Sequence, residues 1–160
     1  MNKAVLSLGS NVGERGANLE KAILLLQKLP CSVIKKSSVY KTAPWGNTHQ
    51  PAFYNQVLEV ETNLEADELL KAILHTEKSM GRTRTQKWEP RIIDIDILFF
   101  NDMQINAPML TVPHPHLHER RFVLKPLAEI LPEKIHPVFM ETVSQLLHEL
   151  RDDGSVEKIK

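Results

Sequence analysis

Polar and apolar positions alternate along four segments of the chain, and this period of two predicts four β-strands. The predicted strands cover residues 4–8, 33–40, 53–62 and 92–100. In two further segments, the residues expected to face the protein core recur three and four positions apart, which is the spacing of one helix face. These positions are Leu19, Ala22, Ile23 and Leu26 in the first helix, and Leu69, Ile73, Thr76 and Met80 in the second. The order βαββαβ predicts an α+β, ferredoxin-like sandwich, with two helices on one face of an antiparallel sheet.

The ends of these elements carry residues typical of boundaries. Pro30 stops the first helix, and Gly81 stands where a C-terminal cap belongs. Between the first strand and first helix lies the glycine-rich run Gly9-Ser10-Asn11-Val12-Gly13. It lacks the Gly-Lys-Ser/Thr ending of a P-loop, so we interpret it as a structural strand-to-helix turn.

The chain beyond residue 100 predicts additions to this core. Asn101-Asp102 fits the tight turn of a short β-hairpin that includes residues 104–106. Residues 119–130 are expected to be helical in two pieces, because Pro126 breaks a continuous helix but can start a new one. A last C-terminal helix is marked by Val143, Leu146, Leu147 and Leu150. The polar tail from Asp152 is expected to fray.

Length and composition predict one globular domain over residues 1–160, with 42% hydrophobic and 25% charged residues. The formal net charge of zero disfavours nucleic acid and membrane surfaces as partners. No apolar run approaches the length of a membrane span. The single cysteine, Cys31, excludes an internal disulfide and fits a reducing, cytoplasmic location.

The segment Glu89-Pro90-Arg91-Ile92-Ile93-Asp94-Ile95-Asp96 carries the strongest chemical signal. Side chains alternate along a strand, so Asp94 and Asp96 point the same way, about 6–7 Å apart. A solvated strand face would also accommodate such a pair. However, aspartate is a poor strand former, and two adjacent carboxylates repel each other. Magnesium would relieve that repulsion, because it takes one or two carboxylates and completes its shell with water and phosphate oxygens.

Four cations precede or adjoin the aspartates: Arg82, Arg84, Lys87 and Arg91. An exposed charged loop is one interpretation of this segment. The other is a polyphosphate site, since arginine donates in pairs to phosphate oxygens and stabilises charge during phosphoryl transfer. Gly81 and Pro90 would let the segment move as a lid, with Trp88 stacking or excluding water.

Two other groups of residues are candidates for ligand contacts. Alternate histidines at 114, 116 and 118 could share a face and bind zinc, but no cysteine or acidic residue completes such a site. A phosphate contact by one of them is the preferred interpretation. Phe53 and Tyr54 are either ordinary strand aromatics, or one ring stacks on a flat heterocycle while Asn55 bonds its edge.

These motifs, in this order, resemble the 6-hydroxymethyl-7,8-dihydropterin pyrophosphokinase family of folate biosynthesis over roughly residues 3–150. The resemblance rests on the glycine-rich turn, on residues 40–44, 50–55 and 77–82, on the Trp88–Leu98 stretch, and on residues 112–115 and 119–124. It implies a ferredoxin-like sandwich that transfers pyrophosphate from ATP to the pterin hydroxymethyl oxygen and releases AMP.

The resemblance also implies a division of labour among site residues. Asp94 and Asp96 would hold two magnesium ions, and Asp96 is the candidate if a protein base exists. Arg82 and Arg91 would be catalytic, contacting the phosphates as the lid closes. The implied ATP-binding set is Glu77, Arg82, Arg84, Trp88, Arg91, Leu98, Thr111, His114 and Arg120, with no specific role assigned to Glu77. The implied pterin-binding set is Thr42, Ala43, Pro44, Trp45, Phe53, Asn55 and Phe122.

Two other functions fit parts of the pattern. RNA-recognition modules share the βαββαβ order, but they need stacking aromatics on the first strand, and residues 4–8 contain none. A two-metal nuclease would use the aspartate pair equally well, although the aromatic pocket and compact size argue against it. The expected state is a monomer that binds ATP and the pterin.

Overall fold

A six-stranded antiparallel sheet forms the centre of the structure, which is a computed structural model. The structure describes residues 1–43, 51–82, 91–151 and 154–159. The strands in chain order are β1 Asn2–Ser10, β2 Cys31–Lys36, β3 Tyr40–Thr42, β4 Phe53–Thr62, β5 Asp94–Phe100, β6 Ile105–Ala107, β7 Leu110–Val112 and β8 Val156–Lys158. The sheet order is β5-β1-β4-β3-β8, and β2 also pairs with β4. Strands β6 and β7 form a separate antiparallel pair.

Helices α1 (Arg15–Gln27) and α2 (Ala66–Ser79) cover one face of the sheet, and their predicted inward positions are buried. They pack on alternate residues of the central strands, among them Leu6, Leu8, Ile95 and Ile97. Glu65 and Glu68 form a capping box at the start of α2, and Gly81 follows its end with a φ of +94°. That left-handed conformation favours glycine, which explains the predicted cap.

The opposite face is partly covered by chain that follows β5. Helices α3 (Arg121–Ile130) and α4 (Val143–Glu149), with a 3₁₀ turn at Leu117–Glu119, build a second core there. This core includes Val5, Val57, Leu98, Phe99, Leu117, Leu124 and Val143. Among the described helices, none is long and apolar enough to cross a bilayer.

The predicted strand over residues 33–40 is interrupted. β2 ends at Lys36 and β3 starts at Tyr40, and Ser37 lies in the gap. The Ser37 hydroxyl accepts the Val57 N–H at 2.9 Å, and the Ser37 N–H donates to the Val57 carbonyl at 2.9 Å. The Ser37 hydroxyl thus replaces a backbone carbonyl of its own segment as the acceptor for a β4 N–H, and the strand breaks at this point.

Two predictions about the C-terminal part are wrong. Pro126 lies inside the continuous helix α3, and the chain instead breaks at Arg120, whose backbone is extended. Pro126 is buried against the second core, so its packing offsets the lost helix bond. The expected frayed tail contains strand β8, because β3 would otherwise offer an unpaired edge.

Candidate active site

One face of the sheet carries a polar strip across four neighbouring strands. The register pairs Gly9 of β1 with Asp94 of β5 on one side and with Asn55 of β4 on the other. Ser7 pairs with Asp96 in the same way, and Thr42 of β3 pairs with Phe53 of β4. Residues that pair directly across antiparallel strands share a face. The predicted metal and pterin residues therefore lie on one surface, opposite α1 and α2.

Asp94 contacts both predicted catalytic arginines, Arg82 and Arg91. Arg91 Nη1 donates to Asp94 Oδ2 at 3.0 Å, and Arg82 Nη1 donates to Asp94 Oδ1. The Arg82 side chain is only 5% exposed, and its buried Nε finds no acceptor among the described residues. The guanidinium therefore retains a donor that an anionic ligand could use.

Asp96 lies in an environment that disfavours its negative charge. Burial, followed by the charges of Asp94 and Glu77, raises the pKa of Asp96 to about 7, although Arg120 and Arg82 act in the opposite direction. Desolvation and like charge both favour the protonated acid. A divalent cation beside this carboxyl would favour its charged form and so lower the pKa of Asp96.

The carboxylate pair fits the chemistry of a magnesium site. Asp94 and Asp96 share a face and carry oxygen donors, and the charge of Asp94 raises the pKa of Asp96. In the part of the chain that the structure describes, no group of three or more histidine, cysteine or acidic residues converges as a metal site. Two carboxylates suffice for magnesium when substrate phosphates and water complete its shell.

Glu77 contacts protein groups in this structure, and the ATP contact predicted for it stays a prediction. Its side chain is 2% exposed, and its Oε2 accepts from Arg82 Nη1 at 2.8 Å and from the Ile95 N–H at 2.7 Å. Glu77 thereby holds both an arginine and the strand that carries the two aspartates. We classify Glu77 as a positioning residue, because its described contacts are to protein groups rather than to an open surface.

His114 supplies a neutral hydrogen-bond donor near the aspartates. Burial first, and then the charges of Arg120 and His116, lower the pKa of His114 to about 4. Its Nδ1 accepts the His116 N–H at 3.1 Å, so the proton of the neutral ring is assigned to Nε2. The His114 N–H donates to the Leu98 carbonyl at 3.0 Å, which fastens this segment to β5.

Leu98 is a core residue in this structure, and its predicted contact to ATP stays a prediction. The β1–β5 register shifts so that Leu6 pairs with Ile97 and Val5 with Phe99, which leaves Leu98 without a partner in the ladder. Its side chain is 1% exposed and belongs to the second core. Thr111, by contrast, is exposed on β7.

Arg120 and Phe122 adjoin each other where the extended Arg120 leads into α3. The Arg120 guanidinium lies 5.7 Å from the centre of the Phe122 ring, and its charge acts on both Asp96 and His114. Arg120, which is predicted to bind the nucleotide, and Phe122, which is predicted to stack on the pterin, are thus neighbours.

The predicted pterin side contains two buried polar atoms that lack partners. Thr42 Oγ1 and Asn55 Nδ2 make no hydrogen bond within the described part of the chain. Asn55 is 4% exposed, and Phe53 on the same face is partly exposed. Tyr54 faces the other side, where Arg15 stacks 4.1 Å from its ring centre. Unpaired buried donors are costly, so these atoms indicate a missing polar ligand.

Asn11 is a site residue that sequence reasoning did not single out. Its Oδ1 accepts the Arg91 N–H at 2.7 Å, and its Nδ2 donates to the Pro51 carbonyl at 3.3 Å. Asn11 therefore ties β1 to the chain on the metal side and on the pterin side. The only sequence signal was its place in the glycine-rich turn, whose predicted structural role these contacts support.

Several predicted residues remain unplaced. Pro44, Trp45, Arg84, Lys87 and Trp88 lie outside the described residues, as does most of the predicted lid. Ala43 is described and exposed.

Residues 5–132 match the model of the 7,8-dihydro-6-hydroxymethylpterin-pyrophosphokinase family. The chain belongs to this pyrophosphokinase family. Membership confirms the resemblance found in the sequence and makes the chain a transferase enzyme of folate synthesis. The chain is 39% identical over 161 residues to 2-amino-4-hydroxy-6-hydroxymethyldihydropteridine pyrophosphokinase of Methylorubrum extorquens, covering 100% of both chains. It is 46% identical over 130 residues to the Bacillus subtilis pyrophosphokinase, covering 81% of this chain and 78% of that one.

Pyrophosphokinase domains also occur within longer proteins. A crystal structure of Plasmodium falciparum HPPK-DHPS with pteroate superimposes with a TM-score of 0.76 at 20% identity. That match covers 92% of this chain and 42% of the Plasmodium chain, so this chain spans about two fifths of it. The likeness confirms a mixed α/β pyrophosphokinase fold with an antiparallel sheet and four helices.

Proposed function

We propose that this enzyme transfers the pyrophosphoryl group of ATP to the hydroxymethyl oxygen of 6-hydroxymethyl-7,8-dihydropterin. The hydroxyl oxygen forms a bond to the β-phosphorus, the bond from that phosphorus to the bridging oxygen of the α-phosphate breaks, and AMP leaves. The hydroxyl proton passes to solvent, or to Asp96 if a protein base acts. The observation that carries the proposal is the single polar strip on which Gly9 separates Asp94 from Asn55.

The metal side of the proposal rests on the carboxylate pair. Asp94 and Asp96 would hold two magnesium ions, which supply charge neutralisation for the polyphosphate. Because Asp94 now pairs with Arg82 and Arg91, ion binding would compete for its oxygens. We propose that the two arginines then turn their donors to phosphate oxygens, where Arg82 already has an unpaired Nε.

The nucleotide is proposed to bind beside the same carboxylates. Arg120 supplies a positive charge, and the neutral His114 supplies an Nε2–H donor for a phosphate or ribose oxygen. A neutral imidazole can donate there without adding a charge that burial disfavours. The contribution of exposed Thr111 and the lid role of the arginine-rich segment stay predictions.

The pterin is proposed to lie on the other side of Gly9. Phe53 and Phe122 would sandwich its ring, because flat rings stack favourably on aromatic side chains. Thr42 Oγ1 and Asn55 Nδ2 would bond the polar edge of the ring, which gives both buried atoms a partner. Ala43, Pro44 and Trp45 are proposed to contribute mainly through their backbone.

We also propose the detailed fold topology, the cellular location and the oligomeric state. The strand order β5-β1-β4-β3, with β2 also on β4, supports a ferredoxin-like sandwich over one catalytic domain. The single buried cysteine fits a cytoplasmic enzyme, and we propose a monomer that binds ATP and the pterin.

One assay tests the proposed reaction. The protein is incubated with ATP, magnesium and the hydroxymethyl pterin, and the nucleotide product is identified by chromatography. AMP that forms only in the presence of both the pterin and magnesium supports the proposal. ADP as the product, or no turnover, contradicts it.

A further inference from the structure

The C-terminal strand β8 forms the outer edge of the sheet against β3. Its register pairs Val156 with Thr42 and Lys158 with Tyr40, and the Ile159 N–H donates to the Val39 carbonyl at 2.9 Å. β8 lies beyond residues 5–132, the segment that matches the family model. Strand β8, which lies outside that segment, thus pairs with β3, the strand that carries the proposed pterin residue Thr42.

Glu129 joins the same strand to helix α3. Its Oε1 accepts the Tyr40 hydroxyl at 2.6 Å, and its Oε2 accepts both the N–H and the hydroxyl of Ser38 at 3.0 Å each. Glu129 lies near the end of α3, and Phe122 lies near its start. One carboxylate therefore links the helix of the proposed ring-stacking residue to β3.

The ionisation states favour these bonds at neutral pH. Burial and the bond to Glu129 raise the pKa of Tyr40 to about 12, so its hydroxyl keeps its proton. Burial opposes ionisation of Glu129, but the bonds from Tyr40 and Ser38 and the charge of Lys158 outweigh it and lower the pKa of Glu129. A charged acceptor facing neutral donors makes stronger hydrogen bonds than a neutral one.

β3 depends on such support because it is short. It has three residues, and Thr42 is its last. Thr42 Oγ1 meets a pterin edge only if β3 keeps its tilt and register relative to β4. Pairing on both sides, with Phe53 and with Val156, restricts that movement.

We propose that β8 and Glu129 form a brace that positions β3, and with it Thr42, against the ring held by Phe122. Glu129 and Tyr40 are positioning residues in this account, as is the backbone of Ile159. The inference rests on the proposed function, since it names the pterin as the ligand that the brace serves. ATP, on the other side of Gly9, gains nothing from the brace.

The test compares full-length variants in steady-state kinetics. Ile159→Pro removes the N–H that bonds Val39, whereas the matched control Ile159→Ala keeps it. Ile159→Pro is expected to raise the KM for the pterin by about tenfold, the effect of about one lost hydrogen bond. The KM for ATP and kcat should stay within about twofold of the unaltered chain, as should all constants of Ile159→Ala.

Tyr40→Phe provides a second, milder variant, because it removes the Glu129 bond and leaves β8 intact. It is expected to raise the KM for the pterin in the same selective way. An unchanged KM for the pterin in both variants would overturn the proposed brace. A fall in kcat without a change in the KM for the pterin would also overturn it, because that result shows only a smaller fraction of folded enzyme. AMP formation by the unaltered chain tests the proposed function separately, so the two failures are distinguishable.

Discussion

Glu77 accepts the backbone N–H of Ile95 at 2.7 Å, at the one position of β5 between the two aspartates. The same carboxylate oxygen accepts from Arg82, so a residue on α2 fixes both the strand of the proposed metal site and one of its cations. The geometry of the two aspartates thus depends on a carboxylate that belongs to another element.

Glu77→Ala is expected to destabilise the fold by about 3–5 kcal/mol, because it leaves a buried arginine and a buried N–H without this partner. Glu77→Gln should cost less, since its amide oxygen can still accept from Ile95. Urea unfolding measures both, with Lys71→Ala on the exposed face of α2 as the control. Equal stability of Glu77→Ala and the control would refute the positioning role.

Gly9→Ala is expected to weaken pterin binding and spare ATP binding. A Cβ at this position would lie 3.1 Å from Asn55 Oδ1 and 3.5 Å from the Phe53 ring, so it would crowd the proposed pterin side. Gly16→Ala is the matched control, because a Cβ there meets nothing within 4 Å. Titration of each variant with the pterin and with ATP measures the effect, and equal pterin affinity in both variants would contradict the proposed location.

His114 predicts a specific dependence of stability on pH. Its pKa is about 4 in the folded chain and about 6.5 when unfolded, so the unfolded chain binds more protons between these values. The contribution of His114 is therefore complete above pH 6.5 and is lost as the pH falls towards 4. In the His114→Asn variant, the urea concentration at half unfolding should depend less on pH over this window. The control His75→Asn, on the exposed part of α2, should keep the pH dependence of the unaltered chain.

Asn11→Ala is expected to lower the free energy of unfolding by about 1–3 kcal/mol, because the Arg91 N–H loses its acceptor. It should also reduce turnover, since Asn11 holds the backbone of an arginine that contacts Asp94. Asn106→Ala, on the exposed β6–β7 pair, provides the control for both measurements. Wild-type turnover in a correctly folded Asn11→Ala protein would show that Arg91 needs no such support.

Local patterns were sufficient for the parts of the fold with a clear period. The inward positions of α2, such as Leu69 and Ile73, are buried as predicted. The period of two also placed Asp94 and Asp96 on one face, which the register bears out. Both predictions depend only on the spacing of residues that are close together in the sequence.

Long-range contacts account for what the sequence did not predict. Glu77 and Ile95 are 18 positions apart, so their bond depends on how α2 docks on β5. Leu98 was assigned to the ATP site by the family resemblance, and its burial depends on how α3 and α4 pack on the sheet. The tail shows no apolar period, and β8 forms because β3 offers it an edge.

The account centres on Asp94 and Asp96 as the metal ligands, and calorimetric titration with ATP in the presence and absence of magnesium tests this most directly. In the unaltered chain, magnesium should strengthen ATP binding by at least about tenfold. Asp94→Asn and Asp96→Asn should each lose most of that gain, whereas Asp102→Asn, at an 87% exposed side chain, should retain it. A full magnesium effect in both Asp94→Asn and Asp96→Asn would contradict the account.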